Sequence, residues 1–143
     1  MIEIKNKKAY FDYYIEEQYE AGIVLKGSEI KSIRKGSAQL KDTFARIKNE
    51  EVELINMYIA KYEESNIFNH DERRTRKLLL HKKEIKKLKK ALEINGYSLI
   101  PLKLYFKNNR VKILLGIGKG KKLFDKREAI KKKDLEREQR KQI

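Results

Sequence analysis

The stretch from Leu102 to Ile117 constrains the fold more than any other. Leu102, Leu104 and Phe106 alternate with Lys103, Tyr105 and Lys107; Val111, Ile113, Leu115 and Ile117 alternate with Lys112, Leu114 and Gly116. Strand side chains point to opposite faces with a period of two, so each half carries an apolar face. Asn108-Asn109 between them tolerates the positive φ angles of a tight two-residue turn. The pattern predicts an antiparallel hairpin, with Pro101 at a strand start or a bulge. A hairpin alone is marginal in water, so further elements must cover it.

Candidates for that cover recur along the chain. Phe11, Tyr13 and Ile15 alternate with Asp12, Tyr14 and Glu16, which predicts a strand over 10–18 that continues over 19–26. The alternation places Phe11 and Tyr13 inside and leaves Tyr10 and Tyr14 freer. Ser28, Ile30 and Ile33, followed by Gly36, predict a short helix over 29–35 with Ser28 as its N-cap. Residues 44–48 and 52–59 read as a second hairpin around Asn49-Glu50-Glu51. Residues 66–76 are polar and read as a loop. Ile85, Leu88 and Leu92 at helical spacing, stopped by Gly96, predict a helix over 78–94 whose other positions are rich in lysine. Residues 1–9 read as a short, basic, loose end. The resulting expectation is mainly β: a small closed OB-like β-barrel with two or three flanking helices.

The chain changes character after Gly118. Residues 120–143 hold twice as many basic as acidic residues, and Ile130 and Leu135 are the only large apolar residues between Phe124 and Ile143. That is too little apolar surface to offset the entropy of ordering, so a disordered tail is expected. Its helix propensity is good nevertheless, which marks it as a segment that folds on a partner. The chain therefore divides into 1–119, a barrel, and 120–143, a basic tail.

Charge narrows the function. The 143 residues carry 36 Lys and Arg against 21 Asp and Glu, a net +15. Such an excess points to a polyanion, and the absence of a broad apolar face on the basic segments favours nucleic acid over a membrane surface. No apolar run is long enough for a membrane span, and the N-terminus shows no signal-peptide core. Zero cysteines exclude disulfides and thiolate metal sites and suit a reducing cytoplasm.

Catalytic groupings are lacking. His70 and His81 share no ligand spacing, and a loop histidine making ordinary hydrogen bonds is the favoured reading of His70 beside Asp71. Gly116-Ile117-Gly118-Lys119-Gly120 lacks the following helix start of a phosphate loop and reads as a strand end plus hinge. The adjacent acids Glu16-Glu17 and Glu63-Glu64 read as solvated edges. No metal or cofactor is expected. Arg73, Arg74, Arg76 and Lys77 beside the lysine-faced helix form a stripe suited to a phosphate backbone, and Phe124, a lone aromatic among basic residues, suits base stacking.

Six ordered blocks then resemble a known family: Asn6 to Tyr13, Gly22 to Arg34, Leu54 to Met57, Arg74 to Ile85, Gly96 to Pro101, and Gly118 to Arg127. Together the chain resembles the SsrA-binding (small protein B) family from about Asn6 onward. The resemblance implies an OB-type barrel that binds the tRNA-like domain of transfer-messenger RNA. It further implies a tail that enters the vacant mRNA channel of a stalled ribosome, becomes helical and reaches the small-subunit rRNA. Help in delivery by elongation factor Tu, action as a monomer on the RNA and a cytoplasmic location are implied too. Position by position, Asn6, Tyr13, Glu29 and Arg34 match family positions linked to RNA, joined by Arg74, Arg76 and Lys77 of the basic stripe. Glu29 could accept from a guanine edge, orient Arg34, or cap the helix after Ser28. Gly120, Lys121, Lys122, Asp125, Lys126 and Arg127 match the tail motif of the decoding centre, with Phe124 at an aromatic position. Two other readings stand beside this: a generic RNA-binding OB module, and an RNA enzyme, against which the missing catalytic cluster argues.

Overall fold

The computed structural model describes residues 2–63, 69–122, 126–128 and 130–135. Among the described residues up to Gly120 the elements follow in the order β1 (Glu3–Lys5), α1 (Ala9–Asp12), β2 (Tyr13–Ile23), α2 (Gly27–Arg34), β3 (Ala38–Gln39), β4 (Phe44–Lys48), β5 (Glu51–Ile55), β6 (Tyr58–Ile59), β7 (Arg76–Leu79), α3 (Lys82–Glu93), β8 (Tyr97–Lys107) and β9 (Arg110–Gly120). Seven strands form one antiparallel sheet in the order β1-β8-β9-β2-β7-β5-β4, and β3 pairs with β6 in a separate ribbon.

The hairpin predicted from alternation is β8–β9, with Asn108 and Asn109 at φ 52° and 61° as a two-residue turn of this hand requires. Gly36 ends α2 and Gly96 follows α3 at φ 75° and 91°, so both glycines stand where an L side chain would be strained.

Two bulges decide which residues face which way. The β2–β9 register shifts between Ile15 and Glu17, and the β8–β9 register shifts between Pro101 and Lys103. A one-residue insertion moves every later side chain to the opposite face. On β8, Leu99 therefore joins the main core with Leu104, although their positions differ in parity, and Leu102 does not follow Leu104. On β2, Tyr19 and Ile23 pack on the main core, while Tyr13 and Ile15 turn to a second, smaller cluster with Ala9, Ile100, Leu102 and Leu114. The main core is built from Ile33, Leu54, Met57, Ile59, Leu78, Leu88, Leu104, Ile113 and Leu115. Gly116 and Gly118 of β9 face the second cluster: a Cβ on Gly118 would lie 2.9 Å from both Ile100 Cδ1 and Ile15 Cδ1. They are strand positions kept small for packing, and β9 runs unbroken to Gly120, so the strand end expected at 116–120 falls at Gly120 and the expected hinge is paired strand.

Several expectations need correction. The N-terminal residues are not all loose, because β1 pairs with β8 along Glu3–Lys5. The segment preceding β2 is a single helical turn, α1, rather than strand. The strand expected over 52–59 divides at Asn56, whose φ of 68° turns the chain so that β6 leaves β5 and pairs with β3. Residues 78–79, read as the start of a helix, lie in β7, because pairing with β2 and β5 outweighs local helical preference. The closed barrel is not formed by hydrogen bonds. The sheet is strongly curled and β4 packs near β8, but β1 and β4 remain edge strands with no ladder between them among the described residues. In the tail, residues 126–128 and 130–135 are helical, the state that its helix propensity favours. No helix among the described residues is long and apolar enough to cross a membrane.

Candidate nucleic-acid interface

The open seam of the sheet is a cleft of about 1110 Å³. Edge strand β1 and the chain after it form one lip, and β3, β4 and their connection form the other; the start of β8 forms the floor. Lys5, Lys7, Lys8, Lys41 and Arg46 line it against Glu3, Asp12 and Asp42, so its charge is net positive. Asn6 and Tyr13, two of the residues singled out from sequence, both open onto it. The β8 bulge fixes the first. Its backbone N–H donates to the Leu102 carbonyl and its Nδ2 to the Pro101 carbonyl, each at 2.8 Å. Tyr13 is held by the second cluster: half-buried, it opens β2 and packs with Ala9, Ile100 and Leu102. Tyr10 and Tyr14 are exposed, at 56% and 48%, as expected, whereas Phe11, expected inside, is only half-buried, because it lies in the α1 turn and not in a strand.

Glu29 lies elsewhere and is enclosed. Oε1 accepts from the Lys26 backbone N–H at 2.8 Å, which caps α2, and from Arg74 Nη2 at 2.5 Å; Oε2 accepts from Arg76 Nε at 2.5 Å. Neither the Glu29 nor the Arg76 side chain has solvent exposure. Arg76 also donates to the Met57 carbonyl at 2.5 Å and the Glu72 carbonyl at 3.2 Å. Burial pushes the Glu29 carboxyl up, but hydrogen bonds from Arg74, the Lys26 amide and Arg76 outweigh it and hold the group below its ordinary value. Burial also lowers Arg76, opposed by the Glu29 carboxylate, and the guanidinium stays charged. Residues some 45 positions apart thus share one buried ionic network.

Beside this network, His70 is buried. Its Nε2 lies 2.9 Å from the Ile59 carbonyl, which can only accept, so Nε2 donates and Nδ1 accepts from the Ser28 hydroxyl at 2.8 Å. Ser28 sits within α2 rather than capping it, since the N-cap is Lys26. Each of these histidine bonds is an ordinary structural one.

The remaining stripe residues reach outward. Arg74 is partly exposed, and its Nη2 also donates to the Val24 carbonyl at 3.2 Å. Lys77 is exposed and pairs with Glu51 at 3.1 Å across β7–β5. Arg34 is exposed, with its guanidinium 5.9 Å from the Phe106 ring centroid, and does not meet Glu29. The α3 residues Lys82, Lys83, Lys86, Lys87, Lys89 and Lys90 are all exposed, while Leu88 is buried.

The tail leaves the sheet beside the cleft. Gly120 pairs with Tyr13 at the end of β9. The Lys121 backbone N–H then donates to the Asp12 carbonyl at 2.8 Å, and Lys121 Nζ lies 4.8 Å from the Tyr14 ring centroid. Lys122 and Arg127 are exposed, and Lys126 pairs with Asp12. Phe124 and Asp125 lie outside the described residues. The cleft lysines and Asp12 were not singled out from sequence. Lys5, Lys7 and Lys8 are a visible basic run there, but only the pairing of β1 with the β8 bulge shows that they line a cleft.

Among the described residues no group of three or more His, Cys, Asp or Glu could hold a metal ion. The arrangement is one of positive, aromatic-bearing surface.

Comparison with known proteins agrees. The family described as "SmpB protein" matches residues 3–143. The SsrA-binding protein of Bacillus pumilus (strain SAFR-032) is 62% identical over 134 residues, covering 94% of this chain and 86% of the relative. That of Bacillus subtilis (strain 168) is 60% identical with the same coverage, and that of Caldicellulosiruptor saccharolyticus (strain ATCC 43494 / DSM 8903 / Tp8T 6331) is 59% identical over 138 residues, 96% of this chain and 87% of the relative. A solved structure described as "tmRNA-SmpB: a journey to the center of the bacterial ribosome" superposes with a TM-score of 0.71 at 47% identity, covering 88% of this chain and 92% of that one. With a family match over nearly its whole length and relatives near 60% identity, the chain belongs to the SmpB family.

Proposed function

We propose that the protein binds the tRNA-like domain of transfer-messenger RNA and acts with it on stalled ribosomes, as a cytoplasmic adaptor rather than an enzyme. The observation that carries this reading is the net-positive open seam holding Asn6 and Tyr13, in a chain whose relatives are SsrA-binding proteins and whose structural neighbour is a tmRNA–SmpB structure. Residues 1–119 grip the RNA and 120–143 act in the ribosome. The curled sheet, with β4 near β8, works as an OB-like barrel left open along the seam. Asn6, Tyr13, Arg34, Arg74 and Lys77 contact RNA. Glu29 and Arg76 lack exposure and serve from beneath, Glu29 by fixing the Arg74 guanidinium. Gly120, Lys121, Lys122, Lys126 and Arg127, with Phe124 and Asp125, form the part that enters the mRNA channel. Elongation factor Tu joins only through the charged RNA.

The test is a binding comparison at one fixed salt concentration, because phosphate contacts make affinity steeply salt-dependent. The protein should prefer a tRNA-like RNA over an unstructured RNA of equal length. Equal affinities would leave only a generic RNA-binding module. Truncation after Lys119 should keep this preference and abolish ribosome rescue.

A further inference from the structure

Helix α1 and its last residue, Asp12, touch both regions to which the functional reading assigns different tasks. Asn6 stands at one end of this turn: the Ala9 N–H donates to the Asn6 carbonyl at 3.3 Å. At the other end the turn holds the base of the tail through three contacts. The Asp12 carbonyl accepts from the Lys121 N–H at 2.8 Å. The Tyr10 carbonyl, one of the acceptors that a short helix leaves unsatisfied, receives Lys121 Nζ at 2.9 Å. The Asp12 carboxylate pairs with Lys126 Nζ at 3.2 Å.

The spacing of these contacts matters. One contact to a chain leaving a sheet fixes a point, whereas two contacts one helical turn or more apart fix a direction. Lys121 supplies the first. Lys126 supplies the second, and its backbone N–H donates to the Lys122 carbonyl at 3.2 Å, opening the tail helix. The two are linked through a single residue, Asp12, by its carbonyl and its carboxylate.

We propose that Asp12 is a positioning residue for the tail: by holding Lys121 and Lys126 it sets the direction in which residues 126–128 leave the sheet, from the same helical turn that begins at Asn6. This rests on the division between RNA grip and tail proposed above. Its chemistry suits a releasable hold. Asp12 and Lys126 are each about one-third exposed, and an ion pair in that setting is screened by water and salt. A polyanion that attracts Lys126 more strongly can take it from Asp12 while the backbone bond to Lys121 keeps the base in place.

The experiment uses the full-length chain as a charge series, D12E, D12N and D12K, with three readouts: affinity for the tRNA-like RNA, rescue rate on ribosomes stalled on truncated message, and amide exchange over residues 126–135. D12E should behave as the parent. D12N should slow rescue about two- to fivefold, the scale of one exposed ion pair, while RNA affinity stays level or rises, because Asp12 also lines the cleft and losing its negative charge does not weaken a hold on phosphate. D12K should be slower than D12N, because it repels Lys121 and Lys126. Exchange at 126–128 should quicken in the same order. Rescue and exchange insensitive to the charge at position 12 would overturn the proposal, as would affinity falling in step with rescue, which would make Asp12 part of the RNA grip. If the parent chain shows no preference for the tRNA-like RNA, the functional reading fails, and the exchange series still decides whether Asp12 holds the tail.

Discussion

Two carboxylates, Glu29 and Asp12, each join a helix to basic residues distant in sequence, and they do so under opposite conditions. Glu29 is wholly enclosed and meets Arg74, Arg76 and the Lys26 amide. Asp12 is about one-third exposed and meets one lysine with its carboxylate. In a water-poor interior an unmatched charge is very costly, so all members of the Glu29 network must stay together once the chain folds. At the surface, water and salt replace a lost partner at little cost. The same ion-pair chemistry therefore makes a permanent support in one place and a releasable tether in the other. Arg74 shows how the first serves the surface: its inner side is fixed by Glu29, and its exposed part is presented in one orientation.

The largest test breaks the enclosed side. E29A leaves Arg76 buried with its charge uncompensated and removes the cap of α2, so it should cost about 3–5 kcal/mol, read as a fall in melting temperature. An unchanged melting temperature would show that the network is not a support. RNA affinity of the variant, measured well below its melting temperature, should fall as well, because Arg74 loses its orientation. The network also has a pH signature. The folded carboxyl titrates below its ordinary value of 4.5. Folding thus favours the ionised form, so this stabilisation is complete above pH 4.5 and is lost as pH falls through the lower folded value. E29Q should flatten that part of the stability profile; an acid limb identical to the parent would assign it to other groups.

A smaller effect is expected from the cluster that carries α1. G118V places a branched side chain where even a Cβ lies 2.9 Å from Ile100 and Ile15 and 3.1 Å from the Tyr14 carbonyl. Overfilling a packed site of this kind costs about 1–3 kcal/mol. The strain falls on the Tyr13–Ile15 segment that leads out of α1, so amide exchange should quicken at Ala9–Asp12 and Lys121 and not at Ser28–Ser32. Equal quickening at both places would mean that the two supports are coupled rather than separate.

How much of this was legible beforehand follows from the range of the forces involved. The Asn108-Asn109 turn and the stops at Gly36 and Gly96 depend on one or two residues, and each reads correctly from sequence. The α3 core face follows from local spacing and reads correctly too, with Leu88 at its centre. The start of that helix did not, since residues 76–79 are drawn into strand by pairing with Gly22–Ile23 and Val52–Leu54. The bulges at Ile15 and Pro101 change side-chain facing by one residue, which no alternation pattern reveals, and they are why Leu102 and Leu104 serve different clusters. The network linking Glu29 to Arg74 and Arg76 joins charges 45 and 47 positions apart. In sequence those residues look like any others in a chain rich in charge. The open seam depends on which strands become edges, a property of the whole sheet.

The smallest effect sharpens the comparison by extending it to a fully wet pair. Lys77 and Glu51 meet at 3.1 Å with side-chain exposures of 49% and 56%. Such a pair contributes about 0–1 kcal/mol, so K77Q should leave the melting temperature nearly unchanged. If Lys77 lies against an RNA phosphate, its loss should nevertheless reduce the slope of log affinity against log salt by about 0.7–0.9, the release of one counterion. The Glu29 variant should do the reverse at first sight, losing stability heavily while its salt slope changes only through Arg74. A K77Q slope equal to the parent's would remove Lys77 from the RNA surface and leave Arg73 and Arg74 as the outward-facing members of that stripe. A large fall in melting temperature would instead show that the pair with Glu51 is shielded from water, contrary to the exposure of both side chains.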